Sequence, residues 1–412
     1  MNTDIFSIVM SFVNKNHRKK MRLVSSKYRN IFSKLLYVNY QYVMKHINNP
    51  KYLVMMLKAN RIINFDFENI ASSCFVNLTH LSLVDVSDVN IDAWPINVTH
   101  LELGYHFNKY IEQWPSKLRY LKLGHEYNNS IDNLPSSLIY LKCGTRFNCS
   151  VDKLPNGLKY LHFGFNFNKP VDKLPKKLVR VEFGWKFNQP INHLPSSLEI
   201  LILSYDFDNP IDNLPKCLKY LSLGWDFNHI VDKLPSSIEY LEFGFSFNKP
   251  VDNLPSNIKY LKFGHSFNQC VDKLPSSIIN LKFGRMFNNP VDNLPSNLRF
   301  LVFGKNFVKT VDKLPSKLIY LKFDKYFDSP VDNLPSSLRC LIFGVHFNQS
   351  IDKLPDDIRI LCLSVCHDKQ NNKLPKKLKY LKINNSHECK NIVIGNKYID
   401  MNNYKNKKIR HY

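Results

Sequence analysis

No stretch of the sequence is apolar for long enough to cross a bilayer. The longest clearly apolar run near the N-terminus, residues 52–57, falls far short of the roughly 20 residues that a spanning helix needs, so no membrane partner is expected. The N-terminus carries Asp4 and lacks a basic region leading into an apolar stretch and a small-residue cleavage site, so secretion is not expected. Nine cysteines, at 74, 143, 149, 217, 270, 340, 362, 366 and 389, form neither an even framework nor a C-x-x-C pair. Reduced thiols in a cytoplasmic or nuclear compartment fit that pattern. Cys362, Cys366, His367, His387 and Cys389 fall within about one and a half coils of each other, yet their spacing matches no zinc-ligand pattern; they read as decay of a repeat. The sequence holds no G-x-x-x-x-G-K-[ST], no G-x-S-x-G and no H-E-x-x-H, so neither an enzyme nor a cofactor is expected. Glycine is scarce, 13 residues in 412, which argues against the glycine-rich turns of calcium-binding repeats. Acidic residues are also in short supply: 34 Asp and Glu face 57 Lys and Arg, for a net charge of +23.

What the sequence does have is a period. Leu-Pro, or Trp-Pro in the first two copies, recurs every 20 residues from Trp94-Pro95 to Leu374-Pro375, fifteen times in one phase. A 20-residue unit cannot close a core of its own and must stack on a neighbour, so the period predicts a solenoid. Within each unit an L-x-x-L-x-L pattern, as at Leu118, Leu121 and Leu123, ends in period-2 alternation and predicts one short strand per coil. Glycine follows the strand in most copies and is read as a tight corner. A Phe-Asn pair comes next, its phenylalanine predicting an internal spine and its asparagine hydrogen bonds to adjacent coils. Proline in the return segment excludes a full helix there and predicts extended or 3₁₀-like chain. The Asp column (Asp132, Asp152, Asp172 and onward) is read as local turn bonding screened by the lysines that follow it, such as Lys153 and Lys173.

These columns resemble the FNIP repeat family, a relative of leucine-rich repeats, whose signature stands in FNKPV at 167–171, FNQPI at 187–191 and FNNPV at 287–291. The resemblance covers about residues 78–385 and implies a curved solenoid with a strand-lined concave face and no chemistry of its own.

Residues 1–40 follow a helical period. Ile5, Ile8, Val9 and Phe12 fall on one face, with Thr3 as N-cap, and Met21, Val24, Tyr28, Ile31 and Leu35 mark a second helix. The strings DIFSIVMSFV at 4–13 and MRLVSSKYR at 21–29 resemble the F-box. Met1-Asn2-Thr3 stands where that motif opens with Leu-Pro, and Tyr28 stands where tryptophan is commoner. The resemblance implies a small helical domain docking on a Skp-type adaptor and its cullin complex, with Ile5, Ile8, Phe12, Leu23, Val24 and Tyr28 as the apolar set. It further implies a substrate receptor of a ubiquitin ligase, of a kind met in amoebae and their giant viruses. The expected organisation is therefore an F-box-like domain at 1–40, a helical linker and cap at 41–77, the β-solenoid at 78–385, and a cap with a basic tail at 386–412. The alternative for residues 1–40 is a plain cap on the open end of the solenoid.

Binding residues are expected where the frame leaves a position free. Residues between the inward leucines form a tyrosine row, including Tyr220, Tyr240 and Tyr260, beside a lysine row that includes Lys262 and Lys282. The position after the strand glycine varies while its surroundings do not: Phe165, Trp185, Tyr205, Trp225 and Phe245 stand there in consecutive units. An acidic or phosphorylated protein is the expected partner, with nucleic acid as the alternative.

Overall fold

The computed structural model describes residues 38–39, 61–63, 78–83, 94–364, 373–384 and 389–391. The chain divides into two compact units, Met1–Leu198 and Glu199–Tyr412.

In the first unit, strands Val38–Asn39, Arg61–Ile63, His80–Leu83, His100–Leu103, Tyr120–Lys122, Tyr140–Lys142, Tyr160–His162 and Arg180–Glu182 pair in parallel, each with the next. From Leu81 onward the register advances by 20 residues per step, Leu81 to Leu101 and on to Leu161 and Val181. The parallel ladder therefore reaches back beyond the first legible repeat, to Val38. In the second unit, strands from Ile200–Ile202 to Tyr380–Asn384 repeat the same step, and an antiparallel pairing of Cys389–Asn391 with Tyr380–Asn384 follows. No helix occurs among the described residues. The F-box-like residues Ile5, Ile8, Phe12, Leu23, Val24 and Tyr28 lie outside them, as do Cys366, His367 and His387.

One coil shows how the sequence builds the ladder. Strand Tyr160–His162 buries Leu161 between Leu158 and Phe163, while Tyr160 and His162 point outward, the alternation of a half-buried strand. Three turns close the coil. Phe167 N–H donates to Gly164 C=O, Leu154 N–H to Val151 C=O, and Leu158 N–H to Pro155 C=O, at 3.0–3.4 Å. The return segment is thus made of isolated turns, each with a single i to i+3 bond, and proline accepts at the start of one of them. That placement suits a residue with no N–H to donate.

The core is phenylalanine. Phe163 and Phe167 of one coil stack at 3.8 Å between centroids, and each repeats in the next coil: Phe163 on Phe183 at 5.2 Å, Phe167 on Phe187 at 6.0 Å. The second unit carries the same double file, with Phe263 on Phe283 at 5.6 Å and Phe267 on Phe287 at 6.1 Å. Each fully buried side chain of this size contributes about 2–3 kcal/mol through area removed from water.

Glycine has a different reason from the one its position suggests. None of the column glycines from Gly124 to Gly344 has a left-handed backbone; instead, a Cβ built on Gly264 would overlap the carbonyl oxygen of Gly244, and one on Gly184 that of Gly164. The corner does not require glycine for its torsions. Where glycine stands, consecutive coils bring their backbones into contact, while Ser204 and Asp324 occupy the same column in two coils.

Two side-chain ladders finish the frame. Asn148 Oδ1 accepts from Asn168 N–H at 2.9 Å, Asn168 Oδ1 from Asn188 N–H at 3.0 Å, and Asn248 Oδ1 from Asn268 N–H at 2.9 Å. Asp208 and Asp328 do the same for Asn228 and Asn348. Along the aspartate column several lysines reach back one coil, as Lys153 to Asp132 at 3.2 Å, Lys173 to Asp152 at 3.3 Å and Lys353 to Asp332 at 3.0 Å. Those solvent-exposed pairs offset part of the like charge of the column.

Candidate functional site

The backbone of the residue after the strand glycine ties one coil to the next. Its C=O accepts from the N–H of the residue 21 positions later: Phe165 from Lys186 at 2.9 Å, Tyr205 from Asp226 at 3.0 Å, Trp225 from Ser246 at 2.8 Å, Phe245 from Ser266 at 2.9 Å. This backbone bond forms whatever side chain stands there, which is why the residue's identity is free to change.

In the second unit the side chains form one file. Tyr205 stacks on Trp225 at 4.7 Å, Trp225 on Phe245 at 4.3 Å, and Phe245 on His265 at 4.1 Å, with planes within 17° of parallel. Trp225 remains 40% exposed. The rings therefore cover one another's faces and offer their edges to solvent. In the first unit Phe165 and Trp185 meet at 5.2 Å with tilted planes, both exposed, and Lys186 Nζ lies 5.9 Å from the Phe165 centroid.

The tyrosine row is more enclosed. Tyr220 stacks on Tyr240 at 4.2 Å and Tyr240 on Tyr260 at 4.1 Å, all three half-buried. Burial pushes the Tyr240 hydroxyl well above its ordinary pKa, with Tyr260 and Glu242 adding to the shift. Lys262 is tied to Glu242 of the preceding coil, while Lys282, its register partner in the next strand, is exposed and makes no ion pair among the described residues. The structure thus brings Tyr205, Trp225 and Phe245 together, and separately Tyr220, Tyr240 and Tyr260; Phe165 and Trp185 form a pair in the other unit.

Two features escaped the sequence reading. The rim file goes on as a cationic one: past His265 and Arg285, which the column reading already includes, Lys305 and Lys325 occupy the same position. Stepping the column on by 20 residues finds them. In the first unit, an open groove of about 550 Å³ is lined by Asn128, Asn148, Asn168, Arg146, Lys186 and Glu126, among others. Arg146 Nη1 binds Glu126 at 2.7 Å inside it. Nothing in the linear pattern marks that groove, because its walls come from two columns that each look like frame. Among the described residues, no three His, Cys, Asp or Glu side chains converge as metal ligands would.

Comparison with known proteins places these columns. The FNIP Repeat model matches eight segments, 127–166, 150–186, 167–206, 187–226, 207–246, 247–285, 271–306 and 309–346, together more than half of the chain. Among solved structures, CroV588 of the giant virus CroV, described as a novel circular LRR protein, is 31% identical with a TM-score of 0.67. The match covers 79% of this chain and 60% of CroV588, so the chain spans less than two thirds of that protein's length. YopM from Yersinia enterocolitica is 18% identical, with a TM-score of 0.49, over 79% of this chain and 76% of its own. An internalin from Listeria monocytogenes is 18% identical, with a TM-score of 0.48, over 60% of this chain and 81% of its own. No curated protein is significantly similar to the chain.

Proposed function

The chain belongs to the FNIP repeat family, and we propose that it is the substrate-recognition subunit of an SCF-type ubiquitin ligase, without catalytic groups of its own. Its fold is that of a repeat solenoid resembling LRR protein-interaction scaffolds. One observation carries the recognition half: a file of stacked aromatic side chains, Tyr205 through His265, stands at a rim position whose identity changes from coil to coil. Aromatic side chains concentrated on a rigid surface are what protein interfaces are enriched in. The adaptor half is supported by the strings at 4–13 and 21–29, where Ile5, Ile8, Phe12, Leu23, Val24 and Tyr28 match the apolar set of the F-box. On this reading the protein works in the cytoplasm or nucleus, of a host cell where the source is viral, and delivers a bound protein to the cullin complex.

The test is capture of a purified Skp-type adaptor by the full chain. Capture by the unaltered chain and its loss in an Ile8→Asp, Leu23→Asp double variant, with an unchanged melting temperature of the solenoid, is the expected result. An unaltered chain that captures no adaptor overturns the ligase reading and leaves an interaction solenoid.

A further inference from the structure

Several lysines of this fold are tied to an acidic side chain of the neighbouring coil. Lys153, Lys173, Lys233 and Lys353 each reach an aspartate of the preceding coil, Lys219 and Lys259 reach glutamates, and Lys262 reaches Glu242. Arg285, Lys305 and Lys325 stand in consecutive coils, in the file that follows His265. These three side chains, and Lys282 and Lys322 on the adjoining strands, make no ion pair among the described residues. The one acid beside them, Asp324, is exposed and accepts from the N–H of Lys325 at 2.8 Å. Lys305 and Lys325 lie instead over the exposed ring of Tyr326, at 5.5 and 5.3 Å from its centroid.

Like charges set one coil apart, roughly 4.8 Å, repel one another unless an anion lies between them. The frame holds Arg285, Lys305 and Lys325 in that file through backbone bonds, Arg285 C=O to Asn306 N–H at 3.0 Å and Lys305 C=O to Tyr326 N–H at 3.2 Å. The repulsion is therefore built in, and an arriving anion relieves it. The same column begins with the aromatic file Tyr205, Trp225, Phe245 and His265. From Tyr205 to Lys325 is six coil steps, on the order of 29 Å, the length of about nine extended residues.

We infer that this column is a bipartite docking track for an extended acidic peptide segment of a partner protein. An apolar side chain of the segment rests on the exposed edge of Trp225, and its carboxylates lie along Arg285, Lys305 and Lys325. The inference rests on the reading of the solenoid as protein-binding and names the chemistry of the segment that it takes. A single-stranded nucleic acid is the lesser fit, because base stacking needs free ring faces and the faces of this file are covered by their neighbours at 4.1–4.7 Å.

The test is fluorescence anisotropy on the full chain with three labelled probes: a peptide of one tryptophan followed by a run of glutamates, the same peptide with glutamines for glutamates, and an oligothymidylate. The glutamate peptide is expected to bind at least about tenfold more tightly than the other two, and to weaken as sodium chloride rises from about 50 to about 200 mM. Arg285→Glu, Lys305→Glu, Lys325→Glu together are expected to reduce that binding at least about tenfold. A control of equal charge change, Lys169→Glu, Lys176→Glu, Lys216→Glu, is expected to stay within about twofold. Melting curves establish that each variant folds, and the single Lys305→Glu variant replaces the triple one if it does not. Equal loss in the control, tighter binding of the oligothymidylate, or no binding of the glutamate peptide overturns the inference. The outcome is separable from the ligase reading: adaptor capture needs no peptide, and peptide binding needs no adaptor.

Discussion

The backbone N–H of Asn168 donates to Oδ1 of Asn148, 2.9 Å away in the preceding coil. That bond gives an otherwise unpaired corner amide an acceptor and ties two coils together through a side chain whose only task is to reach across. Asn148→Ala removes the acceptor and is expected to cost about 1–2 kcal/mol, read as a lowered midpoint in urea. Asn148→Asp is expected to restore most of it, because Asp208 and Asp328 already serve Asn228 and Asn348 in this way. An aspartate variant no more stable than the alanine one would refute the ladder as the reason for the column.

Gly264→Ala is expected to destabilise far beyond the roughly 1 kcal/mol range of helix-propensity effects, because its methyl group would overlap the Gly244 carbonyl. Gly157→Ala serves as the comparison: its added Cβ would stand 2.9 Å from the Ser136 carbonyl oxygen, a far smaller overlap that a slight shift relieves. Thermal melts of the two variants should rank in that order.

The frame was legible because it repeats. Strand, spine, corner and the cross-coil role of asparagine all follow from columns that recur at 20 residues, and local patterns of that kind carry their own confirmation. The reason for glycine was not legible, since a tight corner and a close approach between coils both demand a residue without a side chain, and only the coordinates separate them. Nor was the division of the outward tyrosines from the rim file: period-2 alternation says that Tyr240 leaves the core, but not that Tyr220 and Tyr260 enclose it. The cationic continuation at Lys305 and Lys325 stood in the sequence, hidden by reading aromatics where the column itself was the signal.

Phe267→Ala opens a cavity between Phe263, Phe247 and Phe287 and is expected to cost about 3–5 kcal/mol. Trp225→Ala, at a site 40% exposed, is expected to cost much less while removing the anchor of the docking track. Denaturant titrations paired with peptide anisotropy check both halves. A tryptophan variant as unstable as the phenylalanine one would place Trp225 in the core.

Glu182 accepts from His162 at 2.9 Å and from Arg180 at 3.2 Å, and the histidine hydrogen bond is the larger cause that lowers its pKa from 4.5 to about 2, against the opposing effect of burial. A carboxylate lowered on folding contributes stability that is complete above about 4.5 and lost as pH falls from there toward 2. Glu182→Gln is therefore expected to lower the melting temperature most at neutral pH, where that contribution is complete, and to flatten the acid limb across that window. An unaltered acid limb would remove Glu182 from the account.

Along the Phe263 to Phe323 stretch the phenylalanine stacks and the strand pairings repeat from coil to coil, with Val308 as a break in the asparagine column. The fold accordingly has no internal measure of its own length. One whole coil removed from or added to that stretch leaves each interface as it was, whereas a gain or loss of a single residue misaligns glycine, asparagine and phenylalanine at once. Such a chain can evolve by copying in whole units, and what each copy inherits is a finished joint and one blank surface position on which a new specificity can be written.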